Sequence, residues 1–145
     1  HHRLLESAVR GALGAHSFCL VLDCHSFPSR ALPYEADQRD VRPEICIGTD
    51  DFHTPPWLRE LAVAACAGAG LDVAVNRPFE GAMVPASQYL VQRDVMALMI
   101  EVRRDLYMDE ATGERRPNFA AFKRRLNDLL DDVCAGVSDR RRRAG

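Results

Sequence analysis

The chain has no excess of charge of either sign, no long hydrophobic run and no cysteine pair at metal-ligating spacing. Its 145 residues carry 19 basic and 21 acidic side chains, a net charge of −2, and the pI is near 6.2. A dedicated nucleic-acid surface has a clear basic excess, so no nucleic-acid partner is expected. The longest strongly apolar stretch, Leu61 to Leu71, is far short of the roughly 20 residues that cross a bilayer. No basic segment followed by an apolar one opens the chain, and neither a membrane partner nor secretion is expected. The five cysteines, Cys19, Cys24, Cys46, Cys66 and Cys134, are odd in number and lack a CxxC pair, which argues against a disulfide framework or a cysteine–zinc module. Four lie in apolar runs, where free cysteine behaves as a small hydrophobe, and a reducing, cytoplasmic compartment is the expectation. Also missing are the glycine-rich dinucleotide fingerprint, the P-loop and the GxSxG elbow, which removes most support for nucleotide binding and for a serine hydrolase of the α/β type.

What is present is an ordinary globular composition, 47% hydrophobic and 28% charged, of a length that fits one domain. The chain opens without Met on His1-His2-Arg3-Leu4-Leu5, already in a helical pattern, and reads as a natural protein cut at this point. Leu4, Leu5, Ala8, Val9, Ala12 and Leu13 keep helical spacing up to Gly14, which serves as the expected cap. Phe18–Leu22 is a short continuous apolar run, as in a strand buried on both faces. Cys24 to Pro43, about twenty residues rich in Ser, Pro and charge, reads as a loop of a length that tends to be functional. Ile45–Gly48, Leu71–Val75 and Val95–Val102 are the further expected strands. Thr54-Pro55-Pro56 starts a helix, with Thr54 as cap and proline in the first turn. Asn118 starts the last helix, on which Phe119, Phe122, Leu126, Leu129, Leu130 and Val133 share one face. Residues 1–137 form the expected single domain; residues 138–145, with Arg140 to Arg143, are the expected solvated tail.

Helices alternating with short buried strands predict an α/β fold with helices on both sheet faces. Ligands bind such sheets beyond the carboxyl ends of the strands. Those ends carry Asp23 and His25, Asp50 and Asp51, Asn76 and Arg77, and Glu101, which predicts one shared rim. His25, two residues after Asp23, is either a metal ligand whose second nitrogen a neighbouring carboxylate orients or a packed loop histidine. Glu101 follows the apolar run Met96–Ile100. A carboxylate buried there is costly without a partner, so it is either catalytic, paired with Arg103 or Arg104, or at an alternating position that faces solvent. Arg77 grips a substrate carboxylate with two parallel hydrogen bonds or pairs with Glu80 or Asp50. His53, just before a helix start, suits an anion or substrate contact or a structural role.

Five motifs in order carry a resemblance: Asp23-Cys24-His25-Ser26-Phe27-Pro28, Ile45-Cys46-Ile47-Gly48-Thr49-Asp50, Phe52-His53-Thr54-Pro55, Asn76-Arg77-Pro78-Phe79-Glu80-Gly81, and the run from Met99 through Glu101 to Leu106-Tyr107-Met108. Together they resemble the N-formylglutamate amidohydrolase family from the first helix to the last. The resemblance implies a zinc-dependent amide hydrolase with a central mixed sheet flanked by helices, similar in fold to zinc carboxypeptidases and aspartoacylases. It implies His25 as the later zinc histidine, with Asp23 beside it, Glu101 as general base and acid, and Asn76 and Arg77 as substrate contacts; His53 joins the substrate candidates from its placement before a helix start. Zinc would polarise a formamide carbonyl and activate its bound water. The family's first zinc histidine and its carboxylate ligand belong to an N-terminal segment that this chain lacks, along with at least one sheet strand. The implied substrate is an N-formyl or other N-acyl amino acid, N-formyl-L-glutamate first. The rival readings are a non-catalytic domain that binds a small carboxylate, and a deacylase of the same fold acting on another amide.

Overall fold

The structure is a computed structural model describing residues 2–144; His1 and Gly145 lie outside them. Its elements in chain order are α1 (His2–His16), β1 (Cys19–Phe27), β2 (Ile45–Gly48), α2 (Pro56–Gly68), β3 (Val73–Val75), β4 (Val95–Arg103), a single 3-10 turn (Arg104–Leu106) and α3 (Phe119–Ala144). The four strands form one mixed sheet in the order β1-β4-β2-β3. β1 runs parallel to β4 and β2 parallel to β3, but β2 is antiparallel to β4. The expected α/β architecture with a mixed sheet is therefore present.

Alternation along the strands divides the sheet into two chemically different faces. Ile45 and Ile47 of β2 and Met96, Leu98, Ile100 and Val102 of β4 join Leu58, Ala62 and Cys66 of α2 and Phe122, Leu129, Val133 and Val137 of α3 in one buried cluster. α2 and α3 thus cover the same face and meet closely: a Cβ on Gly136 would lie 2.7 Å from Leu61 Cδ2. α1 packs against β1, and its buried Val9 lies outside that cluster.

Several local expectations are revised. β1 extends to Phe27, so Asp23, Cys24 and His25 are strand residues and the long loop begins at Pro28. β1 is also the sheet edge, and Phe18 to Leu22 are half-buried rather than covered on both faces. α1 continues past Gly14 to His16, and Ser17 takes the left-handed conformation at φ 62°. Thr54 does not cap α2; its hydroxyl donates to the Ala97 carbonyl at 2.6 Å and accepts from Asp50 N–H at 3.0 Å, tying the helix start to β4. Asn118 sends its side-chain amide to the Leu106 carbonyl at 3.1 Å rather than to a helix N–H. The arginine run is not a loose tail but the last turns of α3. Arg141 pairs with Asp94 at 3.1 Å and lies over the Phe18 ring, while Arg140 lies over Trp57. Beyond Gly136 no glycine or proline interrupts the helix before Ala144, and guanidinium faces stack readily on aromatic rings.

Candidate functional site

Strand direction overturns the single rim. Because β2 and β3 run against β1 and β4, their carboxyl ends lie toward the end of the sheet where β4 begins. The turn after β2 confirms this: His53 carbonyl accepts from Ala97 N–H at 2.9 Å. Asp50 is occupied there, its Oδ1 accepting from the Phe52 and His53 amides at 2.9 Å each. His53 is fully buried. Its Nδ1 bonds the Val95 carbonyl at 2.7 Å and its Nε2 accepts from Leu90 N–H at 3.1 Å. Both ring nitrogens are engaged with backbone, so in this structure His53 supports the turn.

Glu101, Asp23 and His25 do come together. His25 is the register partner of Glu101 on the neighbouring parallel strand, and Cys46 is its partner on the antiparallel side. Pleating therefore puts Asp23, His25, Met99, Glu101, Cys46 and Gly48 on the face opposite the α2–α3 core. Glu101 is buried, and its Oε2 has no hydrogen-bond partner among the described residues. Neither arginine suggested as its partner is one. Arg103 pairs with Asp105 at 2.7 Å, and Arg104 bonds the Ser26 hydroxyl at 3.1 Å and carbonyl at 2.9 Å. Burial raises the Glu101 carboxyl above its ordinary range, against the opposing pull of the His25, Arg104 and Arg42 charges. Such a carboxyl is suited to take up a proton and release it again.

His25 is more open, with 45% of its side chain exposed, and its Nε2 lies 2.8 Å from Asp23 Oδ1. Asp23 is thus the orienting carboxylate that the spacing suggested. Among the described residues no three His, Cys, Asp or Glu side chains are grouped as metal ligands. A catalytic zinc takes about three protein ligands, so His25 and Asp23 do not by themselves make a zinc site.

Arg77 reaches this face by a detour. Asn76 turns the chain after β3 in the left-handed conformation, φ 53°, which asparagine tolerates better than most residues. Its Oδ1 accepts from Thr49 N–H and its Nδ2 donates to the Thr49 hydroxyl, both at 2.8 Å. Asn76 is therefore a clamp for the turn, its amide committed to Thr49 rather than to a substrate. The segment from Arg77 to Gly81 then doubles back over β2. The Cys46 thiol donates to the Phe79 carbonyl at 3.2 Å, and a Cβ on Gly48 would lie 2.4 Å from the Gly81 carbonyl. Burial pushes the Cys46 thiol up; the Phe79 and Arg77 backbones lower it, Glu101 raises it and the Arg77 charge lowers it. The Arg77 and Glu101 charges thus pull this thiol in opposite directions. Arg77 is half-buried and makes no ion pair among the described residues, so the alternatives of a bridge to Glu80 or Asp50 are not realised.

Hollows adjoin these residues. One, of about 810 Å³, is bordered by Asp37, Arg39, Asn76, Arg77, Phe79 and Glu80. Another, of about 570 Å³, opens between Cys24, His25, Ser26, Ile100, Val102 and Phe122, on the α3-facing side of the strands. No site role stood out in the sequence for Arg42, Gly48 or Cys46, which shape the surroundings of Glu101. For Gly48 the glycine ending a buried apolar run was a usable signal; Arg42 had none separating it from Arg30 or Arg39.

Comparisons with known proteins bear on the fold and the family. No curated protein matches the chain. The crystal structure of N-formylglutamate amidohydrolase from Ralstonia eutropha superposes with a TM-score of 0.77 at 28% identity, covering 99% of this chain and 52% of that one. A gene product of Agrobacterium tumefaciens superposes with a TM-score of 0.61 at 22% identity over 94% of this chain and 50% of that one, a likeness of fold. The chain spans about half the length of these solved structures. Residues 1–108 match the family description N-formylglutamate amidohydrolase, a stretch that contains β1, β4 and the loop of Arg77, and the chain belongs to the N-formylglutamate amidohydrolase family.

Proposed function

We propose that this chain carries the general-base half of an amidohydrolase site that cleaves N-formyl-L-glutamate to formate and L-glutamate. The observation that carries the reading is the buried Glu101 carboxylate, one oxygen unpartnered among the described residues, beside His25 on the adjoining strand. Water adds to the formyl carbon as Glu101 accepts its proton. The carbon–nitrogen bond then breaks and Glu101 returns that proton to the departing amine. Arg77 holds a substrate carboxylate, and Asp23 fixes the His25 ring.

Zinc belongs to this proposal through the family. His25 is the ligand these residues would contribute, the other protein ligands coming from outside them, and no step above is drawn through the metal. The affiliation with zinc carboxypeptidases and aspartoacylases is part of the same reading. A second reading, a carboxylate-binding domain without turnover, draws on the absence of a three-donor metal cluster among the described residues.

Formate release from N-formyl-L-glutamate, followed together with zinc content, separates the two. The measurement is made on this chain and on one extended upstream. Turnover in the extended chain, falling by about 10²- to 10⁴-fold in Glu101→Gln with zinc content unchanged, is the expected result. Turnover that survives Glu101→Gln places the base elsewhere. Folded proteins that bind the substrate without releasing formate favour the binding domain.

A further inference from the structure

The loop from Pro28 to Glu44 has one deeply buried cation. The Arg42 side chain is 2% exposed and pairs with Glu35, itself 6% exposed. Its Nη1 donates to the Pro28 carbonyl at 2.9 Å. Its guanidinium carbon lies 5.0 Å from the centre of the Phe27 ring and 5.7 Å from that of Phe79, and the two rings meet edge-on at 6.0 Å. The Arg42 carbonyl accepts from Arg103 Nη1 at 2.6 Å. One side chain therefore touches the last residue of β1, the start and the middle of the long loop and the aromatic residue of the Arg77 loop.

A buried ion pair is a poor source of stability, since desolvation offsets most of the attraction and an apolar replacement of similar volume is often no less stable. What the guanidinium supplies is geometry: a planar fork that fixes Glu35 and Pro28 in its plane while stacking on aromatic rings. Glu35 immediately precedes residues 36–39 and Phe79 belongs to residues 76–80, and these two segments line the 810 Å³ hollow beside Arg77. Phe79 is also the residue whose carbonyl receives the Cys46 thiol opposite Glu101.

We infer that Arg42 is a positioning residue that fastens these two walls together and so sets where Arg77 presents its charge to a small carboxylate ligand. This rests on the substrate role proposed for Arg77, but the fastening itself can be read without any ligand. Arg42→Met keeps the length and apolar bulk of the side chain and loses the fork; Arg42→Lys keeps the charge.

Hydrogen exchange on the whole chain is the decisive readout. Arg42→Met is expected to leave the amides of β4 protected while those of residues 77–81 and 29–41 exchange about tenfold faster or more. Titration with N-formyl-L-glutamate is expected to show an apparent Kd about tenfold weaker, partly restored in Arg42→Lys. Unchanged loop exchange in Arg42→Met overturns the inference, as does loosening spread equally over β4, which marks a general structural role. If Arg42→Met does not fold, Phe79→Leu removes one stacking ring with Arg42 in place and is expected to loosen residues 77–81 in the same way; unchanged exchange there overturns it too. A wild-type chain that does not bind N-formyl-L-glutamate, with loops that still loosen in Arg42→Met, removes the proposed substrate and leaves the fastening standing.

Discussion

β1 and β4 are parallel neighbours of equal length, yet they live in different environments. β4 is flanked by β1 and β2, and its residues from Val95 to Val102 are all buried. Among the described residues β1 has a partner strand on one side only, and its residues from Cys19 to Asp23 are half-buried while Cys24 and His25 are exposed. The carboxylate and the imidazole of the candidate site thus stand on opposite sides of a steep change in solvation. Glu101 is held dry, which favours its proton-bound form, and His25 remains accessible to solvent. The pair works as a unit only because the register places one beside the other.

The comparison can be broken most severely by removing the dry carboxylate, through the loss of turnover already expected for Glu101→Gln. It can be sharpened next in the apolar neighbours. Ile100→Ala is expected to cost about 2–5 kcal/mol, because a fully buried side chain leaves a cavity. Val21→Ala on the half-buried edge is expected to cost about 1 kcal/mol, a fraction of the value for burying such a side chain completely. Chemical denaturation of the two variants measures the difference; equal losses mean that β1 is as well covered as β4.

Gly48→Ala tests the other flank of β4. A methyl group there meets the Gly81 carbonyl and Met99 Cε, each 2.4 Å away, so the doubled-back loop or the strand must shift, at about 1–3 kcal/mol. The expected outcome is a lowered Tm together with loss of amide protection at residues 77–81.

The smallest expected effect is a gain. Burial raises the folded-state pKa of Glu101, so the folded chain keeps this proton at pH values where the unfolded chain has released it. Stability then falls as pH rises through the ordinary glutamate range and on through the raised value. In the metal-free protein, Glu101→Gln is expected to raise Tm at pH 7 and to leave it nearly unchanged near pH 4, where both states are protonated. Thermal melts at the two pH values check this, and a gain of equal size at both means that the effect does not come from ionisation.

Much of the fold could be read from local pattern. The apolar runs at Ile45–Gly48 and Val95–Val102 became the two central strands, and the helical spacing around Leu58 and Leu129 became the core-facing sides of α2 and α3. Glu101 stood out for the same reason, as a carboxylate at the end of an apolar run. The site was less legible. His53, Asn76 and Arg77 are all substrate candidates in sequence, His53 with a structural role as its stronger alternative. Folding buries the first, commits the second to Thr49 and leaves the third without an ion pair among the described residues. Arg42 sits among the other charges of a loop, and nothing local tells which of them will be enclosed.

By itself, then, the amino-acid sequence determined which segments must leave water and which chemical groups accompany them, since hydrophobic periodicity and unpaired charge are properties of short stretches. Only the tertiary structure decided the antiparallel passage of β2 along β4, which dissolved the expected single rim and returned the Arg77 loop across the sheet. It also set the pairing of His25 with Glu101 and the enclosure of Arg42. Strand direction, register and loop burial are settled by contacts between residues far apart in the chain, whose energies appear only when the whole sheet is assembled.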